Sequence, residues 1–172
     1  LQRFHEIEPL VQVGRAISYR QVLTESLERL AAADGLPLAE PAAIADSLPS
    51  WPPFPEVAAE LTAVRDAGWK VAILSNTDPD YLDGSLARIG VPVDLRITAA
   101  DAGSYKPARG HWDRFFEVTG AARERHCHVA ASLFHDVAPA AALGFPCVWI
   151  NREAEVSEDR KSTRLNSSHL GI

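Results

Sequence analysis

The chain has 172 residues, enough for one domain or a domain with a small insert, and its 47% hydrophobic and 23% charged content is that of an ordinary globular protein. A net charge of −6 argues against nucleic acid as the main partner, because phosphate binding needs clustered Lys and Arg. No apolar run is long enough to cross a bilayer and no basic-then-apolar signal segment opens the sequence, so neither a membrane nor an export route is expected.

Leu1 to Ser18 carries no clear period. From Tyr19 to Ala33, the spacing of Val22, Leu23, Leu27, Leu30 and Ala31 predicts an amphipathic helix, stopped by Asp34-Gly35. A short helix follows at about 41–47. Leu48-Pro-Ser-Trp-Pro-Pro-Phe-Pro55 holds four prolines in eight residues, which block helix and central strand and mark a rigid connector. Val57, Leu61 and Val64 then space a helix ending at Gly68.

Trp69 to Leu74 reads as a buried strand that delivers Ser75 and Asn76 to its carboxyl end. A helix over 80–89 closes at Gly90, and a short strand follows at 94–98. Pro107 to Val118 reads as a helix with proline in its first turn. Strands at 128–131 and 146–150 flank a helix at 137–143. Strands alternating with helices of about ten residues predict βαβ units and a parallel sheet with helices on both faces.

The two ends differ from the rest. The sequence begins at Leu1 and holds no Met, from which a longer parent protein is expected. Residues 160–172 turn polar and lose all periodicity, and are expected to be a foreign tail. The expected organisation is a helical layer at 1–50, an α/β core at 51–159 and that tail. Cys127 and Cys147 each fall in an expected buried strand, which predicts free thiols in a reducing, cytoplasmic compartment.

Three strand ends carry polar residues, and in a parallel sheet they would share one rim, where open α/β sheets bind ligands. They are Ser75-Asn76, Ser104-Tyr105-Lys106-Pro107, and Ser132 to Asp136. Ser75 to Asp78 could equally form a turn and helix N-cap, and so could Asp136. Lys106 is different, because a cation at a helix N-terminus opposes the helix dipole. A negative partner explains it better. His111, His126, His128 and His135 read as surface or edge residues, with no zinc-like spacing. Trp51, Trp69, Trp112 and Trp149 read as packing residues, Trp112 lying close enough in sequence to Lys106 to touch a site.

Over about residues 19–152 this pattern resembles the haloacid dehalogenase-like hydrolase superfamily. The matching segments are Leu74-Ser75-Asn76, Tyr105-Lys106-Pro107 and Ser132-Leu-Phe-His-Asp136. Gly144 to Arg152 and the connector at 51–55 are similar to the type II haloacid dehalogenase branch. The resemblance implies a three-layer Rossmann-like core with a small helical cap. Its first, central strand, which would end in an Asp nucleophile, is expected to be missing from these residues. It implies catalytic roles for Lys106, Asp136 and Ser75, and substrate contacts from Asn76, Ser132, Trp112 and a cap arginine, Arg20 or Arg15. It implies a small anionic substrate, no cofactor and a possible homodimer.

Two departures stand out. The branch typically carries Ser-Ser-Asn where this chain has Ala131-Ser132-Leu133, and a Tyr where it has Trp112. Superfamily phosphatases hold Mg²⁺ with two Asp four residues apart, and here the first position is Ser132. Metal-free displacement is therefore favoured over a Mg²⁺-dependent phosphatase. A non-catalytic α/β binding module is the third reading. A nucleotide-binding Rossmann domain is disfavoured, since no Gly-x-Gly-x-x-Gly follows a strand.

Overall fold

The computed structural model describes residues 2–152, so the tail expected at 160–172 lies outside the described residues. The chain forms two compact units, divided between Tyr105 and Lys106.

The first unit opens with α1 (Gln2–Gln12), a helix the sequence does not announce. Pro9 sits inside it, and its inward positions mix Val11 with the buried polar residues Glu8 and Gln12. Those two polar groups satisfy each other, Gln12 Nε2 donating to Glu8 Oε1 at 2.8 Å, and Tyr19 Oη adds a bond to the same oxygen at 3.0 Å. A buried face made partly of paired polar groups leaves no apolar period to read.

Helix α2 (Tyr19–Asp34) packs on α1. Val11, Val22 and Tyr105 form the buried centre of this contact, with Ile7, Ile17, Tyr19 and Ala99 around it. Ser18 caps α2 by accepting from Gln21 N–H, and Gly35 ends it in the left-handed region at φ 63°. The short helix α3 (Ala43–Ser47) runs into a single 3₁₀ turn at Leu48–Ser50, so the proline connector starts with a turn of helix that Pro49 tolerates in its first positions. Helix α4 (Val57–Asp66) buries none of its residues. Trp51 and Trp69, expected to pack, are more than half exposed at 57% and 55%. Trp51 keeps one anchor, its indole N–H donating to Ser47 Oγ of α3 at 3.2 Å, while most of its ring faces solvent.

Strand β1 (Ala72–Ser75) pairs in parallel with β2 (Leu95–Thr98), Ser75 standing opposite Thr98 at their common carboxyl end. Asp94 pins the other end. Its carboxylate accepts from Val71 N–H at 2.8 Å and from Arg65 at 2.7 Å. Helix α5 (Pro79–Ile89) follows β1 and ends at Gly90 in the left-handed region, as its sequence predicts. Helix α6 (Ala99–Ala102) is a short addition built on a Thr98–Asp101 capping box.

The second unit contains α7 (Gly110–Thr119), β3 (His128–Ala130), a wide turn at Leu133–Val137, α8 (Ala138–Ala142) and β4 (Cys147–Trp149). β3 and β4 pair in parallel, with His128 opposite Cys147. Phe115, Phe116, Phe145 and His126 form an aromatic cluster, with the Arg123 guanidinium over two of its rings. Both cysteines are free thiols, but Cys127 is exposed and precedes β3 rather than lying buried within it. Helices and parallel strand pairs make this an α/β fold. No described helix is long and apolar enough to cross a membrane.

Candidate active site

The residues expected at the site fall into two groups, one in each unit. Ser75 and Asn76 lie in the first, at the carboxyl end of β1. The Ser75 hydroxyl accepts from Thr77 N–H at 3.3 Å, which turns the chain away from the strand. Asp78 then does something the sequence hides. It makes no side-chain cap to its own helix α5. Instead its two carboxylate oxygens accept from the backbone N–H groups of Tyr19 at 2.7 Å and Arg20 at 2.9 Å. The loop after β1 thus caps α2, satisfying two N–H groups that a helix leaves open.

Arg20 is exposed, 3.1 Å from Asp46 and 3.8 Å from Asp80, with its guanidinium 4.7 Å above the Tyr81 ring. Arg15 is engaged by both carboxylate oxygens of Glu25, which the arginine and Gln21 hold down to about 2. Both cap arginines are therefore committed to carboxylates of their own unit.

In the second unit, Lys106 does not open a helix. α7 begins at Gly110 with Arg109 at its cap, and Lys106-Pro107 form a turn before it. Lys106 therefore does not face the dipole of α7, yet it does have the expected negative partner. Lys106 Nζ donates to Asp136 Oδ1 at 2.6 Å, and the two residues are only 6% and 7% exposed. Asp136 is no N-cap either. Ser132 caps the turn, accepting from His135 N–H at 3.1 Å, while its carbonyl accepts from Asp136 and Val137. The bond to Val137 spans five residues, and this widened turn presents the Asp136 side chain inward.

His128, read from the sequence as an edge residue, is buried, and its Nε2 lies 3.0 Å from the same Asp136 oxygen. An ionised carboxylate beside an ammonium can only accept, so His128 donates from Nε2. His111 is also buried, not at the surface. Trp112 is 1% exposed, with its ring 5.4 Å from that of His128. It reaches the site by backing His128. The usable signal was strand alternation, which puts His128 and Ala130 on one face of β3.

Burial pushes the Asp136 carboxyl up. The hydrogen bond from His128 and the charge and hydrogen bond of Lys106 outweigh this, and the carboxyl ends below its ordinary range. The group is a buried carboxylate with one oxygen held by two donors.

A magnesium ion does not suit this donor set. Among the described residues no cluster of three His, Cys, Asp or Glu could hold a metal. One Asp136 oxygen is already shared by an ammonium and an imidazole, and Ser132, in place of a second carboxylate, is spent on its own turn.

No protein-family model matches the sequence. Over 102 residues the chain is 34% identical to haloacetate dehalogenase H-2 of Moraxella sp. (strain B), covering 58% of this chain and 45% of that protein. It is 30% identical over 113 residues to the (S)-2-haloacid dehalogenase of Pseudomonas sp. (strain YL), covering 64% and 48%. The chain thus spans about half the length of these curated relatives. Among solved structures it is similar to the L-2-haloacid dehalogenase of Xanthobacter autotrophicus with chloropropionic acid covalently bound. The TM-score is 0.74 at 28% identity, over 91% of this chain and 64% of that one.

Proposed function

We infer, from the relation of this chain to the type II haloacid dehalogenases, that it is part of a metal-independent hydrolase acting on a small 2-haloacid-like anion. The observation that carries the reading is the Asp136 carboxylate committed to Lys106 and His128. A buried ammonium already bonded to that carboxylate supports chemistry without a divalent metal, which would need free carboxylate oxygens.

The reaction requires an Asp nucleophile, and no strand among the described residues ends in one. We propose that it comes from outside these residues. Its carboxylate displaces halide from the carbon, the C–X pair leaving with the halide, and an aspartyl ester forms. Water then adds to the ester carbonyl and releases the hydroxy acid, a proton and the free carboxylate. Lys106 keeps the nucleophile ionised and oriented, and Asp136 holds Lys106. Ser75 and Asn76 bind the substrate carboxylate through hydroxyl and amide donors. The free thiols support a reducing, cytoplasmic setting.

The test is halide release from 2-chloropropionate by the longest polypeptide whose reading frame contains these residues, with EDTA present. Release that persists in EDTA and vanishes in Lys106→Ala supports the reading. Phosphate release from p-nitrophenyl phosphate that needs Mg²⁺, with no halide release, overturns it.

A further inference from the structure

We propose that His128 is a positioning residue of the site, holding Asp136 Oδ1 against Lys106 by donating a hydrogen bond from Nε2. The proposal deepens the function inferred above and rests on it for the consequence in turnover.

The two donors meet one oxygen, Lys106 Nζ at 2.6 Å and His128 Nε2 at 3.0 Å. All three side chains are nearly inaccessible, so water does not replace a lost donor at little cost. His128 and Asp136 are anchored independently of each other. His128 opens β3, and its backbone N–H donates to Pro146 O at 2.8 Å. Asp136 is fixed by the wide turn on Ser132. Trp112 backs the imidazole ring and limits its rotation. A lysine ammonium on a flexible stem has no such geometry of its own. With His128 in place, the Asp136 carboxylate has one defined orientation, and Lys106 inherits it.

Among the described residues, Lys106 from the turn before α7 and His128 from β3 bond this carboxylate, and Cys147 of β4, opposite His128, feels its charge. His126 lies beyond His128, ring centres 6.1 Å apart, and burial followed by the charge of His128 hold its pKa down. His128, Asp136 and Lys106 thus form a chain of contacts, and His128 sets its first link.

The experiment compares His128→Gln, whose amide N–H keeps a donor, with His128→Leu, which does not, in the same full polypeptide. Two readouts are taken: halide release across pH, and the titration of Asp136 followed by ¹³C NMR of its carboxyl, assigned with Asp136→Asn. In His128→Leu, kcat falls about tenfold at unchanged KM, and the Asp136 midpoint rises by about one unit. In His128→Gln both stay within about threefold and about half a unit of wild type. Equal losses in the two variants, or an Asp136 midpoint unmoved in His128→Leu, overturn the proposal. If wild type releases no halide while the Asp136 midpoint still moves, the positioning role stands and the inferred reaction fails.

Discussion

Lys106 and Asp136 are thirty positions apart in sequence, yet Nζ and Oδ1 lie 2.6 Å apart in a part of the molecule that water barely reaches. Neither residue belongs to a regular helix or strand. One sits in a turn ahead of α7, the other in a widened turn after β3. The pair is therefore held by packing and by His128, and breaking it exposes the cost of a buried charge.

Replacing one partner should be worse than replacing both. Lys106→Met or Asp136→Leu alone leaves an uncompensated buried charge and should cost about 3–5 kcal/mol in urea unfolding. The double variant should recover a large part of that loss while remaining inactive. A double variant as unstable as the sum of the singles would show that the two charges do not act as a pair.

The acid limb of stability should depend on Asp136. Its carboxyl titrates below its ordinary value in the folded chain. The stabilisation is then complete above the unfolded carboxyl pKa of about 4 and is lost as pH falls through the lower, folded value. Urea midpoints measured from pH 6 down to pH 2 should drop less steeply for Asp136→Asn than for wild type. Parallel curves would contradict the assignment.

Asp78 should behave as a cap of a helix fifty-nine residues away. It accepts from Tyr19 N–H and Arg20 N–H, and α5 gains nothing from its side chain. Asp78→Ala should lower stability by about 1–2 kcal/mol, at or above the loss for Ser18→Ala, which frees one N–H only. Amide exchange should rise at the start of α2 and stay unchanged at the start of α5. Exchange confined to α5 would identify Asp78 as a local cap.

The two thiols should both be sluggish toward alkylation at neutral pH. Partial desolvation raises Cys127 even at its exposed position, and burial, then Cys127 and Asp136, push Cys147 up to about 11. Mass spectrometry after iodoacetamide at pH 7.5 should find the exposed Cys127 modified first and Cys147 essentially untouched. Rapid labelling of Cys147 would show that β4 is open in solution.

The helices at Tyr19–Asp34 and Pro79–Ile89 were legible because their apolar spacing and terminal glycines act locally. The four described strands were legible as short apolar runs, to within a few residues at their ends. α1 was not, since its inward face is partly Glu8 and Gln12, whose burial is stable only because they bond each other and Tyr19. Trp51 and Trp69 were misread because large aromatic residues are usually covered, and here nothing described covers them.

The sequence by itself determined the alternation of helix and strand, the parallel pairing this requires, and the polar residues Ser75 and Asp136 at or just after their strands; Lys106, expected at a strand end, instead follows the short helix α6. These follow from periodicity and from turn chemistry, which depend on near neighbours. Tertiary structure alone decided which donors share Asp136, that Asp78 serves α2 and that His128 is buried. Each of those depends on where two distant backbone segments meet, and the free energy of a buried hydrogen bond exists only once they do.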